Sequence, residues 1–132
     1  MADLFSARWM EGFKDAWNRD PELSGALERI GFASAIGYGF KDEPAPRGVI
    51  VVENGRAVRA APYANEPLDW DLRANRETWD AWLAKPPGML LLGMAYSSSQ
   101  LQFVLGDYAA MIKDPRMAGP FMKSFAVMGS VA

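Results

Sequence analysis

The sequence predicts a single α+β domain in which a largely antiparallel sheet of five strands carries its helices on one side. Three observations lead there. Apolar residues recur every fourth position over the first twenty residues and every second position from Phe32 onward, so a helical period gives way to a strand period. Asn54-Gly55 separates two strand-like runs, the strongest short hairpin signal available. The order of elements (two helices, four strands, a helix, a strand, a helix) lacks the strand-helix alternation of a doubly wound nucleotide-binding sheet. At 132 residues, half of them hydrophobic, the chain has the size of one compact domain over 1–132, able to bury about two thirds of its unfolded surface.

Each element has its own local reason. Phe5, Trp9, Phe13 and Trp17, with Met10 beside them, make the apolar face of a first helix, and Ser6 is placed to cap it. Asp20-Pro21-Glu22 opens a short second helix over Pro21 to Arg29: the Asp caps, the Pro takes the first helical position, and the Glu meets the positive helix end. From Phe32 to Phe40, the residues Phe32, Ile36, Tyr38 and Phe40 share one strand face, while Ala33, Ala35, Gly37 and Gly39 leave the other face small. Small side chains let a neighbour approach the sheet backbone closely, and a packed helix is expected there before a ligand. Lys41 to Pro46 is a polar loop, and the hairpin strands run over Gly48 to Glu53 and Arg56 to Ala61. Leu68, Trp70 and Leu72 alternate with Asp69, Asp71 and Arg73, a fourth strand with one wet face.

Asn75 is placed to cap the next helix, which carries Trp79, Trp82 and Leu83 and stops at Pro86-Pro87-Gly88. Met89 to Ala95 reads as a buried helical turn or two. Leu101, Phe103 and Leu105 give the fifth strand, ended by Gly106-Asp107. The rest is helical, with interruptions at Asp114-Pro115 and Gly119-Pro120 that would let a lid swing.

Composition excludes several kinds of chemistry. The chain has no cysteine and no histidine, which removes disulfides, thiol nucleophiles, imidazole bases and thiolate-imidazole zinc sites. Lys and Arg total 14 against 16 Asp and Glu, interleaved along the chain, so the basic surplus of a nucleic-acid binder is missing. The 21 residues between Lys85 and Asp107 carry no charge, but Pro86-Pro87-Gly88 and Ser97-Ser98-Ser99-Gln100 leave too short an apolar run for a membrane span of roughly 20 residues. With no secretory pattern in Met1 to Arg8 and no receptor-read address in Gly129 to Ala132, the expected setting is the cytoplasm.

Polar candidates for a site are weak. Asp69 and Asp71 repeat along one strand face, a spacing of roughly 7 Å that suits a cation, though a wet strand face explains it as well. Asp107 reads as a helix cap before it reads as a general acid, and no cofactor is implied. The apolar residues say more. Six of the eight methionines (Met89, Met94, Met111, Met117, Met122 and Met128) fall in the last third of the chain, beside Tyr96, Phe103, Tyr108, Phe121 and Phe125. Unbranched, polarizable methionine suits a pocket for apolar ligands of varied shape, or a promiscuous protein contact.

Phe5 to Trp9, then Trp17-Asn18-Arg19-Asp20-Pro21-Glu22-Leu23, resemble the opening of the bacterial sterol carrier protein type 2-like domains. The helix Arg76 to Leu83 and the segment Leu101 to Asp107 are similar to the family's later helix, strand and Gly-Asp junction, with Ser99-Gln100 and a more apolar strand replacing the usual Gly, Lys and Glu. The resemblance covers nearly the whole chain in element order. It implies a sterol carrier protein type 2-like fold, a five-stranded sheet covered by helices with an apolar tunnel between them for a fatty acid, fatty acyl conjugate or sterol-like molecule. By analogy, Trp79, Trp82, Met89, Met94, Phe103, Met111, Phe121, Met122 and Phe125 lie nearest that ligand.

Two further readings stand beside this non-catalytic carrier. One is an accessory or regulatory subunit that docks a lipid- or hydrocarbon-pathway enzyme through its Met/aromatic C-terminal surface. The other is an enzyme working through a carboxylate such as Asp107. Transient membrane contact stays open under the carrier reading.

Overall fold

The structure is a computed structural model that describes residues 3 to 131; Met1, Ala2 and Ala132, parts of the two terminal stretches considered above, lie outside the described residues. Helix α1 (Ala7–Arg19) leads into a π-helical turn, Pro21–Gly25, that continues as α2 (Ala26–Glu28). Strands β1 (Ser34–Phe40), β2 (Gly48–Glu53), β3 (Arg56–Pro62) and β4 (Trp70–Ala74) follow, then α3 (Arg76–Ala84) and α4 (Met89–Ser97). Strand β5 (Gln102–Leu105), α5 (Tyr108–Ile112) and α6 (Pro115–Gly129) complete the chain. The sheet order is β3-β2-β1-β4-β5, antiparallel throughout except for the parallel pair β1 and β4. The expected five-stranded, largely antiparallel sheet is therefore present.

Local signals account for most boundaries. Ser6 accepts from the Trp9 amide, Asp20 from Glu22 and Asp107 from Ala110, three caps where the sequence places them. Asn75 stands at the α3 N-cap but makes no side-chain cap bond. Phe5 lies outside the first helix, before its cap, with a positive φ of 64° that turns its ring into the core. Asn54 and Gly55 both have positive φ, the type I′ turn that a two-residue hairpin needs. The motif Asn18 to Leu23 ties α1 to that hairpin. The Asn18 side chain donates to the Ala57 carbonyl and accepts from the Ala57 amide, while Trp17 Nε1 donates to the Gly55 carbonyl.

Four expectations are corrected. The small face of β1 is covered by the 41–47 loop and Leu68, not by a helix or a ligand: a side chain at Gly37 would meet Leu68 and Pro46, and one at Gly39 the Pro46 backbone. The odd face of β4 is not wet. Asp71 and Arg73 are both buried and pair through two bonds of 2.6 and 2.8 Å, and Arg73 also donates to the Glu43 carbonyl of that loop. Residues Met89 to Ala95 are helical as expected, but only Leu92 and Ala95 are buried; Leu90 is 78% exposed. Finally, α6 runs unbroken through Gly119-Pro120, so the C-terminal segment has a single break, at Asp114.

The core splits into two aromatic groups. Phe5, Trp9, Phe13, Tyr38 and Trp79 stack between α1, β1 and α3, with ring centroids 5.3 to 6.2 Å apart. Phe103, Tyr108, Phe121 and Phe125 form a second group under α5 and α6, joined to the first through Trp79 and Trp82. No helix among the described residues is long and apolar enough to cross a membrane.

Candidate functional site

An apolar cavity of about 50 Å³ lies between the sheet and α6. Its floor comes from the one parallel strand pair, with Ile36 opposite Trp70 and Tyr38 opposite Leu72. Side chains at every second strand position face the same way, so this pairing lines up four apolar groups. Trp17, Leu23, Leu27 and Phe32 close one side. The roof is Met111 of α5 with Met117, Pro120, Phe121 and Ser124 of α6, a spacing that puts the last four on one helical stripe. Pro120 lacks a backbone donor, yet it lies in the second turn of its helix, where one missing bond leaves the strand-facing stripe intact.

The lining holds no charge. Its one aliphatic hydroxyl, Ser124, donates to the Phe121 carbonyl, and burial pushes the Tyr38 phenol up so that it stays neutral. Among the described residues no buried side-chain donor or acceptor lacks a partner. Such a surface offers dispersion contact and desolvation and nothing that would bind an ion. For comparison, a cavity of roughly 150 Å³ holds benzene, so a chain-like guest needs the roof to shift.

A second concavity, an open groove of about 710 Å³, runs along the outside of α5. It is lined by Met89, Leu90, Gly93, Met94, Ser97 and Ser98 of the α4 region with Tyr108 and Ile112 of α5. Groove and cavity both border α5, the first lined by its Tyr108 and Ile112 and the second by its Met111. Tyr108 stacks on Tyr96 at 4.3 Å and reaches Phe121, a cavity residue, at 6.2 Å.

The nine residues expected nearest a ligand divide among these places. Met111 and Phe121 line the cavity. Phe103 packs one layer behind it, 6.0 Å from Phe121. Met89 and Met94 line the outer groove and are exposed. Trp79, Trp82 and Phe125 are sealed into the core, where Trp79 Nε1 donates to the Gly39 carbonyl. Met122 is half-buried on α6, packed against the core. Residues that the sequence reading did not single out, above all Trp17, Tyr38, Trp70 and Leu72, complete the cavity. The signal for Tyr38, Trp70 and Leu72 was present as the strand-period apolar faces and that for Trp17 as the helical stripe of α1, but the register that brings β1 beside β4 is non-local.

The polar candidates are accounted for by structure. Asp69 accepts from the Ala35 amide at 2.8 Å and Asp71 holds Arg73, so the two carboxylates do not share a ligand. Asp107 caps α5. Gly106 (φ 107°) sits against the Trp70 ring, where a Cβ would overlap the ring carbons. The Gly-Asp junction thus seats a cavity-lining indole and starts α5. Among the described residues no group of three or more acidic, His or Cys side chains could hold a metal ion.

No family model matches the sequence, and no curated protein is similar to it. Solved structures are. A crystal structure of sterol carrier protein 2 superposes with a TM-score of 0.78 at 18% identity, covering 98% of this chain and 100% of the other. The solution structure of a conserved hypothetical protein from Thermus thermophilus gives 0.72 at 18% identity over 98% of this chain and 90% of that one. A ubiquinone synthesis protein, UbiJ-SCP2, gives 0.53 at 12% identity over 90% of this chain and 86% of the other. The chain has the sterol carrier protein 2 fold that the sequence resemblance implied.

Proposed function

We propose that this protein is a non-catalytic carrier that encloses one chain-like apolar molecule, a fatty acid, fatty acyl conjugate or sterol-like lipid, between its sheet and α6. The observation that carries the reading is the uncharged cavity roofed by Met111, Met117, Pro120 and Phe121, and the fold shared with sterol carrier protein 2 supports it. Each buried methylene contributes about 0.8 kcal/mol, so a medium chain outweighs the cost of displacing the roof and ordering the guest. Polarizable methionines at the roof adapt to guests of different outline. Entry requires α5 and the start of α6 to move, and the break at Asp114 between them is where such a motion would hinge. The carrier would act in a bacterial cytoplasm.

Phe121→Asp tests this reading, because it sets an unpaired charge against the guest. Affinity for a fluorescent fatty acid should fall by about a hundredfold, while Phe121→Leu keeps it within a few-fold. Equal affinity in the wild type and Phe121→Asp would remove the cavity as the binding site. A second reading, a subunit that docks a lipid-pathway enzyme, draws on the exposed apolar side chains of α4 and β5.

A further inference from the structure

The large apolar side chains left exposed, Val58 of β3 apart, fall on two neighbouring elements, α4 and β5. Met89, Leu90, Leu91, Met94 and Tyr96 of α4 are exposed, as are Val104 and Leu105 of β5. Isolated exposed apolar side chains are ordinary, but a contiguous group marks a contact surface. Resting on the lipid-binding reading above, we propose that this patch is a docking face for a lipid bilayer, with the α4–α5 groove as the portal through which guest lipid passes.

Continuity is the first argument. The groove and the interior cavity both border α5, a helix of five residues whose Tyr108 and Ile112 line the groove and whose Met111 lines the cavity. Displacing that one turn would join the patch to the cavity across surface that carries no charge.

Charge is the second. From Pro86 to Gly106 no residue is charged, so the patch presents nothing that would select a protein partner electrostatically. Three lysines stand at its margins, with the Asp107 carboxylate that caps α5 at the end of β5. Lys85 precedes α4 and Lys113 follows α5, both exposed and neither in a salt bridge among the described residues, and Lys41 Nζ donates to the Ser99 carbonyl at the α4 C-terminus. An uncharged apolar centre with lysines around it fits the acyl boundary and anionic headgroups of a leaflet. The exposed Tyr96, stacked on the buried Tyr108, suits the interfacial level between them.

The edge strand argues against a second copy as occupant. β5 has four residues and a register irregularity at Asp71/Leu72, and it ends at Gly106 in a positive-φ turn, leaving little ladder to extend.

The chain lacks cysteine, so Leu90→Cys labels cleanly with an environment-sensitive dye, and Val58→Cys on the far sheet edge is an exposed control. With vesicles of phosphatidylcholine and a minority of phosphatidylglycerol, the dye at position 90 should brighten and shift to the blue while the dye at 58 does not. The double variant Leu91→Asp/Val104→Asp, at exposed patch residues that line neither the groove nor the cavity, should weaken vesicle partitioning by about tenfold or more and leave fatty acid binding in vesicle-free buffer unchanged. An unresponsive dye at 90, or partitioning indifferent to the double variant, overturns the docking face. So does concentration-dependent dimerisation abolished by Leu90→Asp, which would make the patch a contact between copies. Vesicle binding through Leu90 by a wild type that takes up no fatty acid upholds the docking face and removes the carrier reading.

Discussion

The aromatic cluster around α1 and the layer built by α4, β5 and α5 use similar side chains to opposite ends. Trp79 is fully buried, touches four other rings and satisfies its indole nitrogen on a strand carbonyl. Leu90, on a helix at least as apolar, is mostly in water. The difference lies in what each element has to pack against. α1 lies across β2 and β3 and is tied to the hairpin by Asn18 and Trp17. α4 rests on a narrow stripe of Leu92 and Ala95 beside a short edge strand. Stability should therefore be concentrated in the first region and mobility in the second.

The sharpest contrast pairs one substitution from each. Trp79→Ala should destabilise the fold by about 3–5 kcal/mol in urea unfolding, whereas Leu90→Ala should stay within about 0.5 kcal/mol. Comparable losses from both would dissolve the distinction between core and surface layer. Asp71→Ala tests the opposite sheet face. It leaves Arg73 buried without its partner and should cost about 3–5 kcal/mol, while the joint change Asp71→Leu/Arg73→Met should recover most of that loss. A neutral Asp71→Ala would mean that this face is hydrated after all.

Acid gives the smallest effect. Hydrogen bonding to Arg47 holds the Glu43 carboxyl below its ordinary range, and bonding to Arg116 does the same for Asp114 at the α5–α6 break. A carboxylate lowered by folding contributes stability above its ordinary pKa and loses it as pH falls through the depressed value. Glu43→Gln and Asp114→Asn should each flatten the acid limb of stability slightly, read from urea midpoints between neutral and acidic pH, and leave the neutral-pH midpoint nearly unchanged because both groups are at the surface.

Much of the fold was legible because its causes are local. The caps at Ser6, Asp20 and Asp107, the Asn54-Gly55 turn and the aromatic stripe Trp9, Phe13 and Trp17 of α1 each act within a few positions. The misreadings share a non-local cause. A buried Asp71–Arg73 pair and a wet strand face have the same alternation, and only the 41–47 loop folding back over the sheet distinguishes them. An apolar run reads as buried, but burial depends on a partner, and α4 has one on a single side. Pro120 interrupts a pattern without interrupting a helix. The site divided in the same way. Met111 and Phe121 were legible from the methionine-rich C-terminal stretch, while Tyr38, Trp70 and Leu72 depended on the parallel β1–β4 register.

The central claim is that the space beneath α6 holds an apolar guest, and native mass spectrometry of freshly purified protein, followed by organic extraction, tests it most directly. The account predicts a stoichiometric adduct that extracts as a lipid or hydrophobic acid and is lost from Phe121→Asp. A clean apo mass, together with no uptake of fluorescent fatty acid or sterol probes, would contradict it and leave the cavity as an ordinary packing void.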